Sequence, residues 1–144
     1  MKISEIMTPN VEVIHPDARL VEAAQKMKTL DVGSLPVCDG DRLKGILTDR
    51  DITIRAVAEG VDPNEITVQD VMTPEVIYCY EDQEVKDAAQ LMSQKQIRRL
   101  PVLNRHKRLV GILALGDVSV DYQDNEITGK TLEKISEPSR PARS

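Results

Sequence analysis

The chain has 144 residues, a formal net charge of −5 and no Phe or Trp, so its core must be built from aliphatic side chains. The acidic balance argues against a general affinity for nucleic-acid backbones, and the missing aromatic residues are those that stack on bases. The sequence has no apolar run near the roughly 20 residues needed to cross a bilayer, which argues against a membrane partner.

The first half of the chain predicts a strand, a helix, a two-stranded hairpin and a second helix. Their ranges are residues 11–14, 20–30, 34–38 with 43–47, and 49–58. The first helix has an apolar face at three- and four-residue spacing, and Asp17 is well placed to start it. Gly40 lies in the hairpin turn, and Gly60 ends the second helix.

The second half predicts the same order of elements. The ranges are a strand at residues 76–80, a helix at 85–95, strands at 100–103 and 109–113, and a helix from Gly116. Each half thus reads β-α-β-β-α, which predicts an α+β fold. Ile127, Leu132 and Ile135 fit one more amphipathic turn or helix, and the last residues are expected to be disordered.

The two halves are copies of one another. Met7-Thr8-Pro9 returns as Met72-Thr73-Pro74, 65 residues later, and Gly45-Ile46-Leu47 returns as Gly111-Ile112-Leu113, 66 residues later. One residue inserted in the turn at 104–108 accounts for the change of offset. We predict two pseudo-symmetric repeats, residues 1–66 and 67–124, and a C-terminal extension, residues 125–144. Clefts between related halves are natural places for a small ligand.

The start of the helix at 49–58 carries a hydroxyl and a carboxylate, at Thr48 and Asp51. This spacing fits a capping box that satisfies backbone N–H groups without any ligand. It also fits phosphate binding at a helix start, with the carboxylate accepting hydrogen bonds from ribose hydroxyls. The residues alone favour neither interpretation. The second copy keeps the carboxylate, Asp117, but has Ala114 in place of the hydroxyl, so two binding clefts would be unequal.

Arg98 and Arg99 stand where the first copy has Gly33 and Ser34. Adjacent arginines are more often a solvated surface than a binding site, although guanidinium is well shaped to hold phosphate oxygens. The interpretation of Arg98 and Arg99 as binding residues is favoured if they face Thr48.

No catalytic or metal-binding constellation is visible. Cys38 and Cys79 occupy positions that are aliphatic in the opposite copy, so they are interpreted as core residues in a cytoplasmic protein. His15 and His106 are isolated and lack the spacing of metal ligands. We therefore expect neither enzyme activity nor a metal ion.

Taken together, the repeated motifs resemble those of cystathionine beta-synthase (CBS) domains, and the tandem resembles a stand-alone Bateman module of bacterial or archaeal type. The resemblance covers roughly residues 1–122. Its carriers are the two Met-Thr-Pro segments, residues 32–37 and 97–102, and residues 45–51 and 111–117. It implies that the two sheets pack together with the helices outside.

The resemblance also implies two ligand clefts, each borrowing from both repeats. The first would be lined by Thr48, Arg50, Asp51, Thr73, Val76, Ile97, Arg98, Arg99 and Pro101. The second and weaker cleft would be lined by Val32, Gly33, Ser34, Pro36 and Asp117. In family members the Asp binds ribose, the Thr or Ser contacts phosphate, and the residues before the Pro line the adenine pocket.

The expected function is therefore a non-catalytic sensor with an adenosine nucleotide (AMP, ADP or ATP) as regulatory ligand and no other cofactor. Apolar residues on more than one side of the helix at 49–58, with the family pattern, predict a C2 homodimer that signals to a protein partner of unknown identity. The alternative is a ligand-free dimeric interaction protein that acts only by docking on a partner. The location of Arg98 and Arg99 decides between them: arginines that converge on Thr48 favour sensing, and arginines that point to solvent favour the interaction protein.

Overall fold

The computed structural model describes residues 1–118, so the predictions for the C-terminal extension lie outside the described residues. The chain divides into two compact units. The first-repeat unit contains Glu12–Ile77 and Lys107–Leu109. The second-repeat unit contains Met1–Val11, Tyr78–His106 and the chain from Val110 onward. Each unit thus takes its Met-Thr-Pro segment from the opposite half of the sequence. The repeat boundaries at 66/67 and 124/125 stay predictions.

The first-repeat unit is built on three α-helices, a π-helical turn and a hairpin. Its elements are α1 (Leu20–Leu30), β1 (Ser34–Asp39), β2 (Arg42–Thr48), α2 (Asp49–Ile52), a π-helical turn (Thr53–Val57) and α3 (Val68–Val71). The strands β1 and β2 pair antiparallel around Gly40, whose φ of +65° suits glycine, so the predicted hairpin is confirmed. The predicted helix at 49–58 is present, but it widens to π geometry from Thr53.

Two local predictions for this unit are wrong. Helix α1 begins at Leu20 with Arg19 as its N-cap, and the backbone N–H of Asp17 donates to His15 Nδ1 instead. Residues 11–14 form no strand; only Ile14 makes a bridge, to Val37. Ile14 makes both backbone hydrogen bonds of that bridge, with Pro36 and Cys38, and the carbonyl of Val13 accepts a hydrogen bond from Lys26 Nζ at 2.6 Å.

The second-repeat unit repeats the plan. Its elements are a 3₁₀ turn (Ile3–Glu5), β3 (Cys79–Tyr80), α4 (Val85–Lys95), β4 (Arg99–Leu103), β5 (Leu109–Ala114) and α5 (Leu115–Asp117). The sheet order is β3-β4-β5, with β3 parallel to β4. The predicted helix at 85–95 is confirmed residue for residue. The predicted strand at 76–80 is reduced to its last two residues.

Each unit has its own aliphatic core. In the first-repeat unit the buried side chains include Leu20, Leu35, Leu47 and Val68, and in the second they include Leu100, Val102 and Leu113. Among residues 1–118 no helix combines the length and the apolar character that a membrane crossing requires. The mixed helices and sheets confirm the predicted α+β class.

Candidate functional site

A buried carboxylate stands at the start of α2. Asp51 is 8% exposed, and it is the one charged residue that is buried in the part of the chain described. The helix starts there because Thr48 leaves β2 in an extended conformation and Asp49 is the first helical residue. A carboxylate taken out of water is costly unless hydrogen bonds compensate it. Its partners therefore decide what it can do.

The first partner of Asp51 is the backbone of Thr48. The N–H of Thr48 donates to Asp51 Oδ2 at 3.0 Å, and the N–H of Asp51 donates to Thr48 Oγ1 at 3.0 Å. This reciprocal pair is a capping box with Asp in place of the usual Glu or Gln. The capping interpretation of Thr48 and Asp51 is confirmed.

The other N–H groups at this helix start are also paired. The N–H of Asp49 donates to the carbonyl of Gly33 at 2.9 Å, and that of Arg50 donates to Asp49 Oδ1 at 2.8 Å. An anion at this point would therefore have to contact side chains. The hydroxyl of Thr48 still carries a proton that it can donate.

The second partner of Asp51 comes from far along the chain. Thr73 Oγ1 lies 3.3 Å from Asp51 Oδ1 and 3.4 Å from Oδ2, so its hydroxyl donates to the carboxylate. Thr73 is held beside β2 by a reciprocal backbone pair with Ile46, at 2.8 and 2.9 Å. Gly45 permits this approach, since a Cβ there would lie 2.7 Å from the carbonyl oxygen of Thr73. Thr48, Asp51 and Thr73 are referred to below as the Asp51 cluster.

The remaining predicted residues of the first-repeat unit lie around this helix start. Arg50 is exposed and Val76 is half-buried. Ser34 is the cross-strand partner of Thr48. Gly33 lies against Asp49, whose Oδ2 would be 3.1 Å from a Cβ on that glycine. Two residues assigned to the second cleft, Val32 and Pro36, are half-buried and buried in this unit.

The second-repeat unit has an incomplete copy of the Asp51 cluster. Asp117 is half-buried, and its Oδ2 accepts the N–H of Ala114 at 2.9 Å. Ala114 offers no hydroxyl in return. Within residues 1–118 no hydrogen bond joins Asp117 to Thr8, the counterpart of Thr73. The inequality of the two copies therefore extends beyond the change from Thr to Ala.

The other predicted residues of this unit frame the start of β4. The carbonyl of Arg98 accepts the N–H of Leu115 at 2.8 Å, while Pro101 is buried and its carbonyl faces Cys79 Sγ at 3.8 Å. Arg98 and Arg99 are exposed, and Ile97 is half-buried. Whether Ile97, Arg98, Arg99 and Pro101 join the Asp51 cluster in one cleft stays a prediction.

Sequence reasoning missed two features in and beside the Asp51 cluster. It placed Thr73 in the lining of the first cleft but not as a hydrogen-bond donor to Asp51. It did not single out Arg55, whose Nη1 donates to the carbonyls of Val71 and Met72 at 3.2 and 3.1 Å. The repeat of Met-Thr-Pro was the available signal for Thr73. Within the first copy nothing distinguishes Arg55 from a surface arginine.

The two cysteines, Cys38 and Cys79, are both buried. Burial raises the pKa of Cys38 to about 11, with the charge of Asp41 adding to the effect, and burial raises the pKa of Cys79 to about 12. Both are therefore protonated thiols at neutral pH. Across residues 1–118 no group of three or more His, Cys, Asp or Glu side chains is arranged to hold a metal ion.

Comparison with known proteins agrees with the repeat and the fold. The CBS domain family matches residues 3–57 and 68–120. CBS domain-containing protein YhcV of Bacillus subtilis (strain 168) is 42% identical over 134 residues, which are 93% of this chain and 94% of YhcV.

Two solved structures extend the comparison. Hypoxic Response Protein I, solved with two coordinated zinc ions, is 38% identical, with a TM-score of 0.74 over 83% of this chain and 97% of its own. CBSX2, solved in complex with AMP, is 27% identical, with a TM-score of 0.72 over 87% of this chain and 98% of its own. The predicted resemblance is thereby confirmed: the chain belongs to the CBS domain family, as a tandem pair of such domains.

Proposed function

We propose that this CBS pair is a non-catalytic regulatory module that binds an adenosine-containing nucleotide (AMP, ADP or ATP) with the ribose on Asp51. The observation that carries the proposal is the buried Asp51 carboxylate. Within residues 1–118 it forms no ion pair, and its hydrogen-bond donors are the N–H of Thr48 and the hydroxyl of Thr73.

A carboxylate has about four acceptor positions, so these two donors leave room for two more. The 2′- and 3′-hydroxyls of a ribose supply two donors at adjacent carbons. Hydrogen bonds from these two hydroxyls would stabilise the buried negative charge of Asp51, which forms no ion pair within residues 1–118. Burial at 8% exposure makes those two hydrogen bonds worth more than they would be in water.

The rest of the ligand would be held by residues of both repeats. We assign the phosphate to the Thr48 hydroxyl and to Arg50, Arg98 and Arg99, and the adenine to apolar side chains, namely Val76, Ile97 and Pro101. A second, weaker site would use Asp117 with Val32, Gly33, Ser34 and Pro36. The AMP complex of CBSX2 supports a nucleotide as the ligand. Hypoxic Response Protein I was solved with two zinc ions, but residues 1–118 of this chain contain no group of three or more His, Cys, Asp or Glu side chains that could hold a metal ion. We therefore propose no zinc site in these residues.

We further propose that the regulatory output is a change between paired modules. Ile54 and Val57 lie in the π-helical turn that continues α2 beyond Asp51, and they are 44% and 67% exposed. In a C2 homodimer formed through this face, the same helix would carry both the ribose-binding Asp51 and the dimer interface. A difference in nucleotide affinity between two arrangements of the dimer would then be read by a protein partner. The buried thiols fit a reducing compartment such as the cytoplasm.

Isothermal titration with AMP tests the site. We expect Asp51→Asn to weaken binding by tenfold or more, since a hydrogen bond to a charged group contributes roughly 1.5–3 kcal/mol. Asp70→Asn is the matched control, because the carboxylate of Asp70 likewise accepts the N–H of the N-cap residue, Thr67, at the start of α3 but lies outside the proposed site. It should bind AMP as the unchanged protein does. Asp117→Asn should have a smaller effect than Asp51→Asn, and the reverse order would contradict the assignment of the stronger site.

A ligand-free interaction protein is the second candidate. It is favoured by the exposed Ile54 and Val57, which indicate a docking face whether or not a nucleotide binds. Thermal unfolding with millimolar AMP, ADP and ATP discriminates between the two, because a ligand that binds only the folded state raises the melting temperature. A shift supports the sensor. The absence of any shift supports the interaction protein.

A further inference from the structure

Arg55 joins the helix of Asp51 to the segment of Thr73. It lies in the π-helical turn, where the N–H of Ala58 donates to the carbonyl of Thr53 at 2.9 Å. Its Nη1 donates to the carbonyls of Val71 and Met72, at the point where α3 ends. Carbonyls at the end of a helix lack partners within the helix, so a guanidinium is a suitable donor to them.

The position of Thr73 depends on that point of the chain. Met72 leaves α3 in an extended conformation, and Thr73 then pairs with Ile46. The hydroxyl of Thr73 lies 3.3 and 3.4 Å from the two oxygens of Asp51, which is long for an O–H···O hydrogen bond. A shift of a few tenths of an ångström would break it. Any residue that fixes Met72 therefore also fixes the donor to Asp51.

The second repeat lacks this link in its sequence. Asp51 corresponds to Asp117 at an offset of 66, and the same offset carries Arg55 to Asp121. An aspartate cannot donate hydrogen bonds to carbonyls. The first repeat thus has both the arginine and the complete Asp51 cluster. The second repeat has an aspartate in place of the arginine and Ala114 in place of the Thr48 hydroxyl.

We propose that Arg55 is a positioning residue of the nucleotide site, which acts on the ribose by holding Thr73 in place as a donor to Asp51. The inference rests on the proposed function. Arg55 itself would contact no part of the ligand. Its effect would pass from the carbonyls of Val71 and Met72 along the extended backbone to the hydroxyl of Thr73.

Titration with AMP is the first test. Arg55→Met should weaken AMP binding about tenfold, the scale of a coupled contact in one network. Arg19→Met is the matched control: Arg19 Nη1 also donates to a backbone carbonyl of the same unit, that of Glu65 at 3.2 Å, but has no contact with Thr73. It should leave AMP affinity unchanged. Arg55→Lys, which retains donors, should restore part of the loss.

A readout specific to the ribose separates positioning from general stability. The affinity advantage of AMP over 2′,3′-dideoxyadenosine monophosphate should shrink in Arg55→Met, because the lost hydroxyls are those that Asp51 binds. In a Thr73→Val background, Arg55→Met should cause no further loss. Independent, multiplicative losses in the double variant would overturn the proposal. If Arg55→Met fails to fold, Arg55→Ala gives the same comparison, since Ala also lacks a donor, and an undiminished advantage of AMP in that variant also overturns it.

The outcomes distinguish this inference from the function on which it rests. If the unchanged protein binds no AMP, both fail. If Asp51→Asn abolishes binding while Arg55→Met and Arg55→Ala bind AMP at full strength, the nucleotide site stands and the role of Arg55 is refuted.

Discussion

Cys38 and Cys79 are both buried, and burial keeps each thiol protonated. The pKa of Cys38 rises from 9.0 to about 11 through burial and then the charge of Asp41, and that of Cys79 rises from 9.0 to about 12 through burial. A group whose pKa is raised on folding stabilises the folded state while the unfolded group is still protonated. That contribution is present below pH 9 and is lost as the pH rises towards 11 and 12.

We therefore predict that the free energy of unfolding falls between pH 9 and pH 11, in part because the unfolded chain releases both thiol protons. Urea unfolding at pH 7, 9 and 10.5 measures the fall. Cys38→Ala with Cys79→Ala serves as the reference, since it keeps all other titrating groups. The doubly substituted protein should lose less stability over this range. Equal losses in the two proteins would show that the thiols do not contribute.

At the scale of single elements, three short helices begin with the same spacing and differ in how fully they are capped. Thr48 and Asp51 cap α2 reciprocally, and the carboxylate of Asp70 accepts the N–H of Thr67 at the start of α3. In α5 the carboxylate of Asp117 caps Ala114, but no side-chain oxygen accepts in return. An N-cap hydroxyl contributes about 1 kcal/mol. The helix of the second repeat therefore starts with less stabilisation of its own.

Adding and removing that hydroxyl should have opposite effects. We predict that Thr48→Ala lowers the free energy of unfolding by about 1 kcal/mol and that Ala114→Thr raises it by up to about 1 kcal/mol. Urea unfolding without nucleotide measures both changes. Val would fill the space of Thr without accepting a hydrogen bond, so Ala114→Val is the control. A gain as large for Val as for Thr would assign the effect to packing.

The elements that the sequence predicts well are those whose signal is local. Helix α4 follows from the spacing of Val85, Ala88, Ala89 and Met92, all of which are buried, and the hairpin follows from its turn around Gly40. The strand predicted at 11–14 is reduced to one bridge, from Ile14 to Val37, while the Lys26 side chain donates to the carbonyl of Val13. Pairing with a distant segment cannot be deduced from the residues at 11–14 alone.

The candidate site divides in the same way. Thr48 and Asp51 were recognisable because a capping box is a four-residue pattern. The contact of Thr73 with Asp51 spans 22 residues, and it requires the close approach that Gly45 permits. Arg55 reaches Val71 and Met72 from a π-helical turn that no spacing rule predicts. Long-range contacts of this kind appear only once the chain is folded.

At the scale of the whole molecule, the exposed face of the helix beginning at Asp49 is the feature that one chain leaves unexplained. Val57 and Ile54 are large apolar residues at 67% and 44% exposure, and they lie three residues apart on one element. Buried Ala56 lies between them and packs into the core of the first-repeat unit. The helix thus has one face towards its own core and another that a second copy of the chain would cover.

We predict that the unchanged protein has twice the mass of one chain in size-exclusion chromatography with light scattering, and that Val57→Asp has the mass of one chain. A twofold interface contains each residue twice, so one substitution buries two carboxylates close to one another. Ile77→Asp is the matched control, because Ile77 is an exposed apolar residue at 38% that lies outside this helix. It should remain dimeric. If Val57→Asp is still a dimer, the interface lies elsewhere on the chain, and dimer formation does not depend on the helix that carries Asp51.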